Sequence, residues 1–450
     1  ASCRSGNTLN NSETNPVVNR LIDDTIAFVD GGRPISIRRF LTEAKRLASR
    51  LPDHSYVVNL AIDRYHYLLG FCAAIMRGQC TLMPFNRMDA TLELIGQEFP
   101  DCYRLEASDL LFDNLAGEVG AEPAFPTEIP LDQLCAIAFT SGSTGFPTHH
   151  RKFWRTLVVS TEISARLLDL PRKNTLNLVA TIPSQHMWGL ETATLFPMLQ
   201  PVAISARTPF YPVDIVTALA ELPEPRALVS SPVHLDAIIR SGLELPALDR
   251  IFSATAPISQ GQARKLEEHF STKLVEAFGC SETGIISSRE TARETLWRVS
   301  DSLSIEARNG DFMVMGEHLP VPVALPDKIE MCEGNRFRWI GRHQDMVKIG
   351  GKRESLSDLN LHLSSIDGVD DGVIFMPAPE SRRLAALVVS KHLSPRDIRL
   401  ALGKHVDTVF LPRPVFLVNE LPRQETGKIA RRELIAKYED LLQHSVRKST

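Results

Sequence analysis

Short apolar runs rich in β-branched residues recur through the first two thirds of the chain, and most are followed by a stretch with helical periodicity. LCAIAF (134–139), LNLVATI (176–182), ALVS (227–230), RIFSA (250–254) and KLVEAFG (273–279) read as buried strands. Between them lie amphipathic stretches such as QARKLEEHF (262–270), where Ser259 and Gln262 form a capping box. Strands alternating with helices imply a mainly parallel sheet with helices packed on it, an α/β fold. The pattern changes near residue 340. GRHQDMVKIGGKRES is charged and Gly-rich, which suits a linker or hinge. Beyond it come a helix from about Ser357, strands at 372–376, 384–390 and 414–418, a helix opened by Ser394-Pro395, and a last amphipathic helix. That helix puts Leu434, Tyr438, Leu441 and Leu442 on one face. The expected organisation is a large N-terminal α/β domain over 21–342 and a small mobile C-terminal α+β domain over 343–450.

Bulk properties narrow the function classes. A chain of 450 residues exceeds one ordinary core. Its formal net charge of −4 argues against a broad nucleic-acid surface. The seven cysteines are scattered, with no CxxC pair, so a disulfide framework or structural zinc site is not indicated. Free thiols in a reducing cytoplasm are the simplest reading. The polar start, ASCRSGNTLNNSETNP, does not read as a signal peptide, and disorder is expected over residues 1–20. The most apolar run, Leu68 to Met76, is far short of the roughly 20 residues that span a bilayer, so no membrane span is expected.

Three segments carry chemistry. Phe139-Thr-Ser-Gly-Ser-Thr-Gly-Phe-Pro147 follows a strand, and its two glycines and four hydroxyls (Thr140, Ser141, Ser143, Thr144) suit a phosphate cradle. It lacks the Walker lysine; by composition alone it is also a plain Ser/Gly loop. Ala277-Phe-Gly-Cys-Ser-Glu-Thr-Gly284 ends another strand, where ligands of open α/β sheets gather. Its Glu282 is suited to hold Mg²⁺ on a nucleotide. The bland alternative is a strand-to-helix turn capped by Ser281. Leu421-Pro-Arg-Gln-Glu-Thr-Gly-Lys-Ile-Ala-Arg-Arg432 presents Lys428 on a turn before a helix, either as a mobile point charge or as part of a solvated basic loop.

Taken in order, these segments resemble the signature motifs of the adenylate-forming superfamily of acyl-CoA synthetases, aryl-acid ligases, adenylation domains and luciferases. The pattern is a TSGSTG-x-P loop, an aromatic-Gly-x-Ser-Glu turn, an Asp, then Gly341-Arg342-x-x-Asp with Gly-Gly-x-Arg, and a terminal Gly-Lys. The resemblance covers about residues 25 to 435. It implies that the loop Thr140, Ser141, Gly142, Ser143, Thr144 and Gly145 wraps the β- and γ-phosphates of ATP. Phe278 would stack on adenine, with Ala256-Pro257 on the other face, Ala277 and Gly279 alongside, and Glu276 accepting from the adenine amino group. Ser281 would touch the α-phosphate, Glu282 would hold Mg²⁺, and Asp327 and Arg342 would bind the ribose. Lys428 would stabilise the charge that develops as the adenylate forms. His186 matches a gate between acid pocket and thiol tunnel, Met187, Trp188, Ala254 and Gly279 would line the acid, and Gln344 occupies the pivot between the domains.

The chain departs from the pattern where the loop normally ends in Pro-Lys-Gly. Pro147-Thr148-His149-His150-Arg151-Lys152 stands there, so Lys152 or Arg151 is expected to replace the missing cation. Asp327 lies in Leu-Pro-Asp rather than Thr-Gly-Asp. The implied function is ATP-dependent activation of a carboxylic acid to acyl-AMP, then transfer to the phosphopantetheine thiol of an acyl carrier protein or CoA. Ser184-Gln-His-Met187 holds no Asp to pair an α-ammonium group, which disfavours amino acids. A compact, partly aromatic pocket favours an aryl acid such as a hydroxybenzoate. The short chain and the His-Arg-Lys run resemble the ligases of aryl-polyene and xanthomonadin-type pigment pathways. Competing readings are a medium- or short-chain acyl-CoA synthetase, a non-catalytic nucleotide binder, and a serine hydrolase built on Gly279-x-Ser281.

Overall fold

A computed structural model describes residues 14–110, 125–140, 148–308, 310–342, 345–349, 351–378, 381–423 and 429–447. Two large sheets organise the first 342 residues. One has five strands in the order Cys102–Leu105, Tyr56–Asn59, Cys80–Met83, Leu134–Thr140 and Thr148–Phe153. The other has eleven. Its centre is parallel, running Lys273–Cys280, Arg250–Ser253, Arg226–Ser230, Leu176–Ala180, Val202–Ser205 and Thr25–Val29. Each expected strand of this region forms within a residue or two of its expected ends. The sheet is less parallel than the alternation implied, because Gly284–Arg289, Trp297–Val299, Arg336–Arg342 and Asp327–Cys332 extend it antiparallel at one edge. These hairpins need no helical crossover, so they escape a reading based on strand–helix alternation.

Both faces of the parallel strands are buried, as their period-two side chains dictate. Leu178 and Ala180 face one core, and Val179 between them faces the other. Helices Pro212–Ala220, Pro232–Ser241 and Gln260–Phe270 cover the second face, and the expected Ser259–Gln262 capping box forms. The first face packs on helix Arg64–Met76, which also contacts the five-stranded sheet. Every residue of that helix except His66 is buried, the signature of a helix apolar all round.

The expectation of disorder to residue 20 does not hold from Thr14 onward. Thr14–Pro16 pairs antiparallel with Glu128–Pro130, and Val17 is fully buried. Residues 1–13 lie outside the described set. The later part of the Gly-rich stretch expected to be a linker or hinge builds a β-hairpin, Met346–Ile349 with Lys352–Ser355, with Gly351 at φ +83° in its turn. The C-terminal unit has the expected α+β composition: a three-stranded sheet of Asp371–Phe375, Ala385–Val389 and Val415–Leu417, with helices Leu356–Ser364, Pro395–Leu402 and Arg431–Arg447. It touches the larger unit through Lys265 Nζ, 2.9 Å from Asp367 Oδ1, and through Arg240, which donates to the carbonyl of Asp370. No described helix is long and apolar enough to cross a membrane.

Candidate active site

Strand Lys273–Cys280 lies within the sheet and delivers the segment Ala277–Gly284 at its carboxyl end, where open α/β sheets bind ligands. Two glycines let the chain fold back on itself. A Cβ at Gly279 would lie 2.1 Å from the Gly284 carbonyl oxygen, and Gly284 itself has φ +71°. The turn leaves the carboxylate of Glu282 about one third exposed, at 32%. Oε1 of Glu282 is 3.4 Å from His150 Nε2, and that nitrogen is 3.3 Å from the hydroxyl of Thr140. The end of strand Leu134–Thr140, the start of the strand after the loop, and the Glu282 turn therefore meet at one place. Burial lowers the pKa of His150, against the raising pull of Glu282. A neutral imidazole brings no cation to compete for the carboxylate, so Glu282 fits the single protein carboxylate with which a phosphate-bound Mg²⁺ is commonly held.

Lys152 is placed otherwise than expected. Its side chain points inward, 2% of the residue is exposed, and Nζ donates to the backbone carbonyl of Glu282 at 2.9 Å. It supports the back of the turn rather than projecting beside the loop. Alternation along Thr148–Phe153 exposes Arg151 and buries Lys152, which leaves Arg151 as the member of the pair on the solvent side. The run HHRK left Lys152 and Arg151 as equal candidates because sequence composition does not specify which face of a strand is covered.

On the nucleotide side, Phe278 is half-buried and braced by Trp297 and Phe337, with ring centroids 5.3 and 5.2 Å away. Ala256 is exposed and Pro257 half-buried in the loop that follows Arg250–Ser253. Thr255 in that loop has φ +78°, a strained conformation for a β-branched residue. Glu276, expected to accept from adenine, is already committed. Its carboxylate accepts from Ile258 N (3.0 Å), Arg289 Nε and Nη2 (2.9 and 2.7 Å) and Thr291 Oγ1 (2.6 Å). Three of these donors fall on Oε2 and one on Oε1, so the carboxylate is held mainly through Oε2. It also acts on the site through Arg289. Arg289, held by Glu276, lies 4.3 Å over the ring of Trp297, which in turn packs on Phe278. Asp327 is buried, accepts from Trp339 Nε1 at 2.9 Å, and is paired through the backbone with Arg342.

On the acid side, His186 caps a short helix, its Nδ1 accepting from Trp188 N at 3.2 Å. Met187, Trp188 and Ala254 are buried. The helix continues as a π-helix over Leu190–Leu195, an irregularity frequent at functional sites. It carries Glu191, 1% exposed, whose Oε1 accepts from Ile285 N at 3.3 Å. Burial pushes the Glu191 carboxyl up to about 7. Arg64, also buried, holds the preceding segment by donating to Ala180 O (2.6 Å) and Ser184 Oγ (3.3 Å). Sequence reading passes over both Glu191 and Arg64. The available signal was a lone charge inside an apolar helix pattern in each case.

Ser141, Gly142, Ser143, Thr144, Gly145, Gln344 and Lys428 lie outside the described residues, as does the side chain of Arg342. Arg423 and Ile429, on either side of 424–428, form an isolated β-bridge, and Arg423 is held bidentately by Asp371 at 2.8 and 2.6 Å.

Comparison with known proteins agrees with this arrangement. The family model described as AMP-binding enzyme matches residues 98–323. The chain is 21% identical over 311 residues to a 3,4-dihydroxybenzoate–[aryl-carrier protein] ligase of Bacillus anthracis, covering 66% of this chain and 73% of that one. It is 27% identical over 304 residues to a 4-coumarate–CoA ligase of Halorhodospira halophila, covering 64% and 73%. Among solved structures, ATP-bound MatB from Rhodopseudomonas palustris superposes with a TM-score of 0.78 at 17% identity, covering 93% of this chain and 96% of that one. The strand-end turn with its Ser281 and Glu282, the aromatic brace behind Phe278 and the matched family model have one conclusion: the chain belongs to the AMP-binding enzyme family, the adenylate-forming enzymes.

Proposed function

We propose that the chain uses ATP to activate an aromatic carboxylic acid and passes the acyl group to the phosphopantetheine thiol of an acyl carrier protein. It is an AMP-forming acid–thiol ligase. In the first step the acid's carboxylate oxygen attacks the α-phosphorus of ATP, and pyrophosphate leaves with the electron pair of the broken P–O bond. In the second, the thiol sulfur attacks the acyl carbon, the carbon–oxygen bond to AMP breaks, and the thiol proton is lost to solvent. Ser281 and the 140–145 loop position the phosphates, Phe278 and Asp327 the nucleoside, and Lys428 stabilises the charge at the α-phosphate. Bound Mg²⁺, held by Glu282, would supply further neutralisation of the phosphates. His186 stands at the entrance through which the thiol reaches the acyl carbon.

The observation that carries this reading is the convergence of three chain segments at Glu282. Support for an aryl acid comes from Met187, Trp188 and Ala254 and from the lack of an Asp in Ser184–Met187. Support for a carrier protein comes from Arg382, Arg383, Lys391 and Arg396, exposed and spread over two segments of the C-terminal unit. CoA, with its 3′-phosphate and diphosphate, calls for a concentrated basic patch instead. The test is ATP–pyrophosphate exchange across a panel of carboxylic acids. Thioester formation with holo acyl carrier protein and with CoA at equal concentration follows by mass. A larger kcat/KM with CoA overturns the carrier-protein assignment, and exchange with no acid overturns the whole.

A further inference from the structure

The parallel strands of the large sheet have two ends, and the catalytic turn occupies one of them. At the other, around the amino ends of Leu176–Ala180, Arg226–Ser230 and Arg250–Ser253, lies a cavity of about 530 Å³. Those strands are four or five residues long, so about 13–17 Å of sheet separates the cavity from the catalytic end. Its volume is within the range of small-molecule sites, roughly 300–1,000 Å³. Pro171, Leu176, Pro225 and Leu248 give it apolar walls. Both sides are pinned to the sheet. The Asn177 amide donates to Pro223 O and Pro225 O at 3.0 and 3.2 Å. Arg250 donates to Leu168 O and Asp169 O at 3.3 and 2.7 Å, which fixes the start of the segment that carries Pro171.

Arg226 lines this cavity, and its hydrogen bonding is incomplete. Its side chain is 13% exposed and its Nε is buried without a partner. Among the described residues none of the N–H donors of its guanidinium makes a hydrogen bond. Glu224 Oε1 is 3.6 Å from Nη2, beyond hydrogen-bonding distance. The Glu224 side chain is 69% exposed, so water screens the charge it brings. Arg250, the other guanidinium in the lining, is engaged: Nε donates to Asp249 Oδ2 at 2.6 Å, and two main-chain carbonyls take Nη1. One arginine of the cavity is therefore satisfied by the protein, and the other has lost most of its water without gaining acceptors.

We propose that this cavity is a second ligand site, remote from the reaction, for a small monocarboxylate with an apolar body. A carboxylate matches the planar fork of a guanidinium, and the apolar walls cover the rest of the molecule. A phosphate dianion fits less well, because Glu224 and Asp249 already place two negative charges in the lining and a single guanidinium is uncommitted. A neutral ligand would leave Arg226 as it is. An acid held here is bound and not activated, since the Glu282 turn and the phosphate loop follow the carboxyl ends of their strands. The site does not depend on which acid or which thiol the enzyme uses.

The test is fluorine NMR with 4-fluorobenzoate, 4-fluorocinnamate and 8-fluorooctanoate as probes. Alongside them go 4-fluorobenzamide as the neutral control and 4-fluorophenyl phosphate as the dianion. Line broadening is titrated on the wild type, on Arg226→Met and on Ala247→Trp. The last fills the cavity from an exposed coil position and spares the sheet. At least one carboxylate is expected to bind the wild type and to bind both variants about 10- to 100-fold more weakly, the range for one charged hydrogen bond. Pyrophosphate exchange with the preferred acid is expected to be unchanged in both variants. Binding at the active site persists in both, so it is not mistaken for this one. The proposal is overturned if no carboxylate binds, or if binding is equal in the wild type and both variants. It is also overturned if the amide or the phosphate ester binds as tightly as the best carboxylate. Loss of exchange with every acid in the wild type would bear on the proposed function and not on this site.

Discussion

His150 Nε2 stands 3.4 Å from Oε1 of Glu282 and 3.3 Å from the hydroxyl of Thr140, so one imidazole edge faces both the carboxylate assigned to the metal and the start of the phosphate loop. Burial holds its pKa below the ordinary histidine value. Near neutral pH the ring is therefore uncharged and Glu282 is free to take a divalent cation. As pH falls the imidazolium forms and competes for the same oxygen. KM for MgATP is expected to rise as pH drops below the ordinary histidine value of 6.5. His150→Asn is expected to flatten that rise, as read from initial rates at each pH.

Lys428 is the second test. Its ammonium is assigned to the α-phosphate region, where negative charge grows during adenylation. Lys428→Ala is expected to lower acyl-AMP formation by about 10²–10³-fold, the range for removing one preplaced donor. Thioester formation from supplied acyl-AMP is expected to fall far less. Single-turnover measurements of the two steps separate them.

Glu276 behaves differently, because its carboxylate is held by Arg289, Thr291 and the N–H of Ile258. Glu276→Ala leaves the Arg289 guanidinium without its buried partner and is expected to cost about 3–5 kcal/mol of stability. The measurement is the urea midpoint. A Glu276→Gln variant that folds is expected to keep its preference for ATP over GTP. Loss of that preference without loss of stability would restore a direct role at the base.

Glu191 gives a pH signature of its own. Its carboxyl is raised from the ordinary 4.5 to about 7 by burial, so the folded state keeps a proton that the unfolded state has released. Stability from this group is present in full below about pH 4.5 and is lost as pH rises through 7. The loss is at most about 3 kcal/mol. Glu191→Gln is expected to remove this slope, so that its unfolding temperature gains on the wild type between pH 5 and pH 8, roughly the interval over which the group titrates.

The sheet strands were legible because their apolar runs are short, β-branched and bounded by turn residues. Lys273–Cys280, Arg250–Ser253 and Arg226–Ser230 form where those runs stand. The phosphate and nucleotide motifs were legible as ordered spacings. Three things were not. The antiparallel edge from Gly284 to Arg342 lacks helices to mark its turns. Lys152 lies in a charged run whose covered face depends on what packs across it, a tertiary fact. The π-helix at Leu190–Leu195 is a change of backbone register that side-chain periodicity over six residues does not resolve. The partners of Glu276 were hidden for a related reason: its place beside Phe278 was visible, but the Arg289 and Thr291 that hold it come from a later strand and turn.

Three close approaches of backbone constrain how this enzyme can change. A Cβ at Gly189 would lie 2.0 Å from the Pro183 carbonyl, one at Gly279 would lie 2.1 Å from the Gly284 carbonyl, and one at Gly284 would strike Glu191. Main chain cannot retreat as a flexible side chain can, so the first two positions admit no other residue without moving the segment they touch. In evolutionary terms, the backbone at Gly189 and Gly279 is close to frozen while the side chains around it are not. A lineage can exchange a side chain such as Met187 without touching the main chain, whereas removing Lys152 or Glu191 alone would leave the other buried charge uncompensated. A substitution at either glycine would have to shift the main chain it touches, so diversification should run through side chains before it runs through backbone.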